Sequence, residues 1–184
     1  VESMTYMFES SAFMGHIANW DTSKVQEMTS MFRHTNFCGD LSKWNVGKVR
    51  YMNCMFEDSR FDGNLSAWDV SNVQDMSQMF SDSLFTGNVS DWNVSRCRSF
   101  YAMFDVGPFR GDLSRWAISP DANIACFFDT ERAHPAPSVY HWFSAWKNNE
   151  VALQPEWKKH LEAHTPAAEI IFDSRIRAAI TVHE

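Results

Sequence analysis

Several features that mark catalytic, nucleic-acid-binding or membrane-spanning chains are missing from this sequence. It has no run of about 18 apolar residues, the length a bilayer-crossing helix needs, so no membrane insertion is expected. It has no excess of base: 16 Lys and Arg stand against 23 Asp and Glu, a net charge of −7. Nucleic acid is therefore an unexpected partner, because phosphate binding needs a basic stripe to displace counterions. The four cysteines, Cys38, Cys54, Cys97 and Cys126, form no CxxC pair to chelate zinc and do not fix the redox compartment. The opening VESMTYMFES lacks both a basic n-region and an initiator Met, so the chain reads as a fragment of a longer protein. There is no GxSxG, no phosphate loop and no triad, so no enzyme and no cofactor are expected.

The chain does have large apolar side chains in excess: 8 Trp, 15 Phe and 10 Met in 184 residues. Internal repetition explains them. Trp20, Trp44, Trp68, Trp92 and Trp116 recur at a constant step of 24 residues with no insertion or deletion. The same step links Phe8, Phe32, Phe56, Phe80 and Phe104, each preceded by Met, then Phe13 to Phe109, then Gly15, Gly39, Gly63, Gly87 and Gly111. A decayed sixth copy shows in Ile124 and Phe127-Phe128, and Val1 falls in the column of Val25, so the chain opens partway through a unit.

Within a unit, Val73, Met76, Met79 and Phe80 are spaced as one face of a helix, with Ser71 placed to cap it. Gly87 is expected to supply a turn conformation. The segment from Asn64 to Val70 alternates as a short strand. Such a unit cannot bury its own apolar face, so neighbours must stack, with parallel strand pairing and the Trp, Phe and Gly columns as structural ladders. The expected fold is α/β: a right-handed leucine-rich-repeat-like solenoid of 24-residue strand-helix units over residues 1–128, with residues 129–184 as a helical C-terminal cap or the start of a further domain. In that tail, helices are expected from Ser138 to about Asn149, from Pro155 to His164, and from Thr165-Pro166 to about Ile180.

The stretch from Trp68 to Phe80, followed by Phe85-Thr86-Gly87-Asn88-Val89-Ser90, closely resembles the repeat of the BspA-like leucine-rich-repeat surface proteins, the listerial and mycoplasma type. The resemblance covers about residues 1–128. It implies alternating strand and helix, display at the cell surface or secretion, and binding of host or neighbouring-cell components. It carries no catalytic residues over. The departures are Gly47 for Ser, Cys97 for Val, Phe100 for Met, Ala117 for Asp or Asn, and Pro108 before Phe109.

Three patterns invite chemistry and are better read as structure. His160 and His164 have i, i+4 ligand spacing without a third ligand, as on a solvated helix face. The Asx columns Asp21, Asn45, Asp69, Asn93 and Asp40, Asn64, Asn88, Asp112 could suggest calcium, but half are neutral and all sit beside turns they can cap. The column Ser42, Ser66, Ser90, Ser114 has no repeating base and reads as an inward hydroxyl ladder. The outward column Asn19, Lys43, Ala67, Asp91 and Arg115 differs in every unit. With Asn19, Lys43, Asp91 and Arg115 as ligand-face candidates, the chain is expected to bind a protein or a cell-surface glycan. The alternative is a passive spacer or stalk whose activity lies in flanking regions.

Overall fold

The computed structural model describes residues 1–119 and 121–127, all within the unit Val1–Val151. The tail expectations, including the three helices and the His160/His164 pair, lie outside the described residues.

The 24-residue unit forms one rung, and successive rungs stack in register. Parallel bridges join Ser3 to Glu27, Glu27 to Tyr51, Tyr51 to Asp75, Asp75 to Ser99 and Ser99 to Asn123. Each rung contributes a single bridge residue to this line. Among the described residues there is no helix and no strand longer than a bridge, so the α/β strand-helix architecture is not the one that forms.

The segment expected to be helical shows why. In rung 25–48 the N–H groups of Met28, Ser30, Phe32 and His34 donate forward to the carbonyls of Tyr51, Asn53, Met55 and Glu57, at 2.9 to 3.0 Å. The intervening N–H groups of Met31 and Arg33 close tight turns onto Met28 and Ser30, at 3.3 and 3.2 Å. A chain of i→i+3 turns has the same apolar spacing as a helix, yet it frees alternate amides to bond the next rung. Helices pack about 8–10 Å apart, whereas extended backbones approach to about 4.8 Å. The stacked Phe80 and Phe104 rings, with centroids 5.6 Å apart, require the closer spacing.

These turns place two residues per rung in the left-handed region. All are non-glycine: Ser30 and His34 (φ 53° and 54°), Cys54 and Asp58, Gln78 and Asp82, Ala102 and Val106. The left-handed conformation costs roughly 1–2 kcal/mol per residue. It is offset where that residue's own amide bonds the next rung, as Ser30 bonds Asn53 and His34 bonds Glu57.

No glycine has a positive φ, which corrects the expectation that Gly87 serves a turn. The glycine column exists because a phenylalanine ring lies on it. A Cβ built at Gly39, Gly63 or Gly111 meets the Cζ of Phe37, Phe61 or Phe109 at 2.5 Å, and at Gly87 it meets Phe85 at 2.8 Å. The expected strand around Trp68 is also a turn, with the Trp68 amide donating to Leu65 at 3.0 Å.

The core is the set of repeated columns. Phe32, Phe56, Phe80 and Phe104 stack through the rungs at 5.6 to 5.7 Å, nearly parallel, and all are 0–1% exposed. Each is met within its own rung by a second ring, as Phe56 is by Phe61 at 4.3 Å. Trp44, Trp68, Trp92 and Trp116 are buried, and each indole N–H donates to the previous rung, on Ile17, Leu41, Leu65 and Val89, at 2.9 to 3.1 Å. A buried indole needs such a partner, so the tryptophan column ties rungs together as well as filling them. Trp20, in the first rung, remains 39% exposed.

Candidate functional site

The outward column lies on exposed residues, as expected: Asn19, Lys43, Ala67, Asp91 and Arg115 all face solvent. Just after it, the chain turns on an Asx side chain. Asp21, Asn45, Asp69 and Asn93 each accept from the amide two residues on, at 3.0 to 3.2 Å. Just before it, Asp40, Asn64, Asn88 and Asp112 do the same for Ser42, Ser66, Ser90 and Ser114, at 2.8 to 3.0 Å. Lys43, Ala67 and Asp91 are thus each held between two Asx turns, a local geometry that Asp and Asn side chains favour, whereas Asn19 has His16 in place of the first Asx and Arg115 has Ala117 in place of the second.

The Asx columns therefore act as turn caps. Bonds from Ser23, Ser42 and Ser71 hold the carboxyls of Asp21, Asp40 and Asp69 below the ordinary carboxylate range. Ser71 donates its own amide to the Asp69 carboxylate and caps no helix. The serine column does not point inward either: the Ser66 hydroxyl is exposed and donates to Asn64 in its own turn at 2.8 Å.

Of the four candidates, the fold brings two together. Arg115 donates to the Asp91 carboxylate of the preceding rung, and both side chains are largely exposed. Around this pair lies an open recess of about 230 Å³, lined by Ser90, Asp91, Trp92, Asn93, Arg115 and Ala117. It opens at the rung where Ala117 replaces the Asx residue of the column, so the side chain that would extend the row after Asn93 is missing. Asn19 and Lys43 stand two or more rungs away and do not join the recess. Trp92, Asn93 and Ala117 were not among the candidates, although Ala117 is a visible break in a repeated column.

On other columns, polar residues also pair from rung to rung. Arg33 bridges Glu9, at 3.2 Å, and Glu57, at 2.9 Å, and the bond it donates to Glu57 raises its pKa. His34 Nδ1 lies 2.8 Å from the Asp58 carboxylate. Burial pushes the thiols of Cys54 and Cys97 up to about 12, so both are protonated near neutral pH. Among the described residues no group of three or more His, Cys, Asp or Glu could hold a metal ion, and no helix is long and apolar enough to cross a membrane.

Among known families, the one described as "Mycoplasma protein of unknown function, DUF285" matches this sequence twice, over residues 1–83 and 57–146. The two matches overlap, as a repeated pattern allows. No curated protein and no solved structure matches the chain.

Proposed function

The chain belongs to the DUF285 family, and from that premise we propose that its stack of rungs is a non-catalytic recognition module of a cell-surface or secreted protein. It presents the outward column, from Asn19 through Lys43 and Asp91 to Arg115, to a protein or a cell-surface glycan. The observation that carries this reading is a contrast between columns. Inside, the Trp, Phe and Gly positions are the same in every rung; outside, residues 19, 43, 67, 91 and 115 are exposed and all different. A fixed scaffold bearing a varied exposed row is how binding residues are commonly carried. The likeness of the stretch from Trp68 to Phe80 to BspA-like surface repeats supports display outside the cell.

The Asp91–Arg115 pair and its recess are the centre of the proposed face. A paired carboxylate and guanidinium offer acceptors and donors side by side, which suits hydroxyl or peptide groups of a ligand. The test is the combined variant Lys43→Ala, Asp91→Ala and Arg115→Ala, measured for binding to a panel of immobilised cell-surface proteins and glycans. At least one panel member is expected to bind the parent chain, with the variant weaker by roughly tenfold, given the modest worth of exposed polar contacts. Equal binding by parent and variant would remove this face from the mechanism and leave the stack as a spacer.

A further inference from the structure

A second exposed feature uses different columns. In four successive rungs a buried residue is flanked by two polar ones: Lys24-Val25-Gln26, Lys48-Val49-Arg50, Asn72-Val73-Gln74 and Arg96-Cys97-Arg98. The central residues are 0–1% exposed. The residue before each buried one is the third residue of a tight turn, closed by the Val49 amide on Val46 and by the Cys97 amide on Val94, and the flanking side chains of Lys48, Arg50, Arg96 and Arg98 are all exposed.

Backbone bonds lock this edge in register. The Arg50 amide donates to the Gln26 carbonyl, Gln74 to Arg50, and Arg98 to Gln74, each at 2.8 Å. The Lys48–Arg50 and Arg96–Arg98 pairs are thus two rungs apart, about 10 Å along one line.

These four cations have no carboxylate partner among the described residues, whereas Arg33 and Arg115 each bridge to acids on neighbouring rungs. Arg96 donates to Asn72 and Arg98 to Ser119, neutral acceptors that orient the guanidinium without cancelling its charge. With Lys24, which also has no ion pair among the described residues, the edge gathers five of the 16 bases of a chain that has 23 acids. Three acids border the edge: Glu2 precedes Gln26 in its column, and Glu27 and Asp75 pair with Tyr51 in the next column.

We propose that this edge binds an anionic polysaccharide, its acid groups meeting the two cation pairs. The argument is charge complementarity at matched density. Duplex DNA carries one charge per about 1.7 Å, far denser than pairs about 10 Å apart on a chain that is acidic elsewhere. A polysaccharide with spaced carboxylate or sulfate groups meets the pairs without crowding the surrounding acids. The net charge of the whole chain conceals this edge, which emerges only when the rungs are stacked.

The edge shares no residue with the column headed by Asn19, so either reading can fail alone. Binding of dextran sulfate and of polygalacturonate to the whole chain tests it, with neutral dextran, oligothymidylate and anionic phospholipid vesicles as comparisons. At least one acidic polysaccharide is expected to bind, neutral dextran not at all, and binding should weaken as salt shortens the screening length from about 10 Å at 0.1 M to about 3 Å at 1 M. The variant Lys48→Ala, Arg50→Ala, Arg96→Ala and Arg98→Ala should bind roughly tenfold more weakly. The charge-retaining variant Arg50→Lys and Arg98→Lys should keep most of the affinity, and the Lys43, Asp91 and Arg115 triple variant all of it. Absence of polysaccharide binding, equal affinity of the fourfold alanine variant, or tighter binding to oligothymidylate or vesicles would each overturn the proposal.

Discussion

Replacing Phe56 by alanine is expected to remove about 3–5 kcal/mol of folding free energy, the range for a fully buried ring whose site cannot collapse. Phe56 is 0% exposed and held from three directions. Its centroid lies 5.7 Å from Phe32 in the rung before, 5.6 Å from Phe80 in the rung after, and 4.3 Å from Phe61 in its own. Both neighbouring rungs are tied by backbone bonds, so neither can move in to fill the space. The same substitution at Phe8, which stacks on Phe13 in its own rung and on Phe32 in the next but is partly exposed, should cost markedly less. Urea unfolding followed by tryptophan fluorescence measures both. Equal losses at the two positions would mean that the rings do not share a common stack.

The second large effect is expected at a residue with no side chain. Gly63→Ala should destabilise by about 1–3 kcal/mol, the usual cost of overpacking. The added Cβ falls 2.5 Å from Phe61 Cζ and 2.9 Å from Cε2. Phe61 is fully buried between Phe56 and Phe37, so its ring has no free direction in which to move. The φ of Gly63 is not positive, so backbone strain makes no contribution. The penalty should therefore shrink when Phe61→Leu is introduced first, because a smaller side chain leaves room for the methyl. An unchanged penalty in that background would place the cost in the backbone rather than in the ring contact.

The sequence was more legible in its columns than in its local conformation. The 24-residue step, the buried Trp and Phe ladders and the parallel pairing follow from repeated chemistry, and the fold contains all of them. The helix was misread because Val73, Met76, Met79 and Phe80 have a spacing that serial tight turns share. The deciding bonds, such as Phe80 to Met103, reach 23 residues along the chain, where a local pattern holds no information. The left-handed residues carry no glycine that would have marked them. The glycines were misread in the opposite sense: the Phe-x-Gly pattern of Phe61 and Gly63 was visible, but a glycine suggests a turn before it suggests a ring lying on it.

The candidate site was partly legible for the same reason. With the period known, Asp91 and Arg115 must be neighbours, and their ion pair follows. The recess beside them depends on what Ala117 lacks, which matters only once the Asx caps of the other rungs have a geometry. The cation pairs of the second edge are separated in sequence by the whole stretch from Tyr51 to Ser95, and only stacking turns them into a line.

The central claim is that each 24-residue unit is a flat rung bonded to the next rather than a strand-helix unit closed on itself. The most direct measurement is the set of couplings across backbone hydrogen bonds in an isotope-labelled sample. The account predicts couplings from the amide nitrogen of Ser30 to the carbonyl of Asn53, and from Phe32 to Met55, with the same pairing one rung later from Cys54 to Ser77 and Phe56 to Met79. Couplings from Phe32 to Met28 and from Phe56 to Met52, the four-residue pattern of a helix, would contradict it.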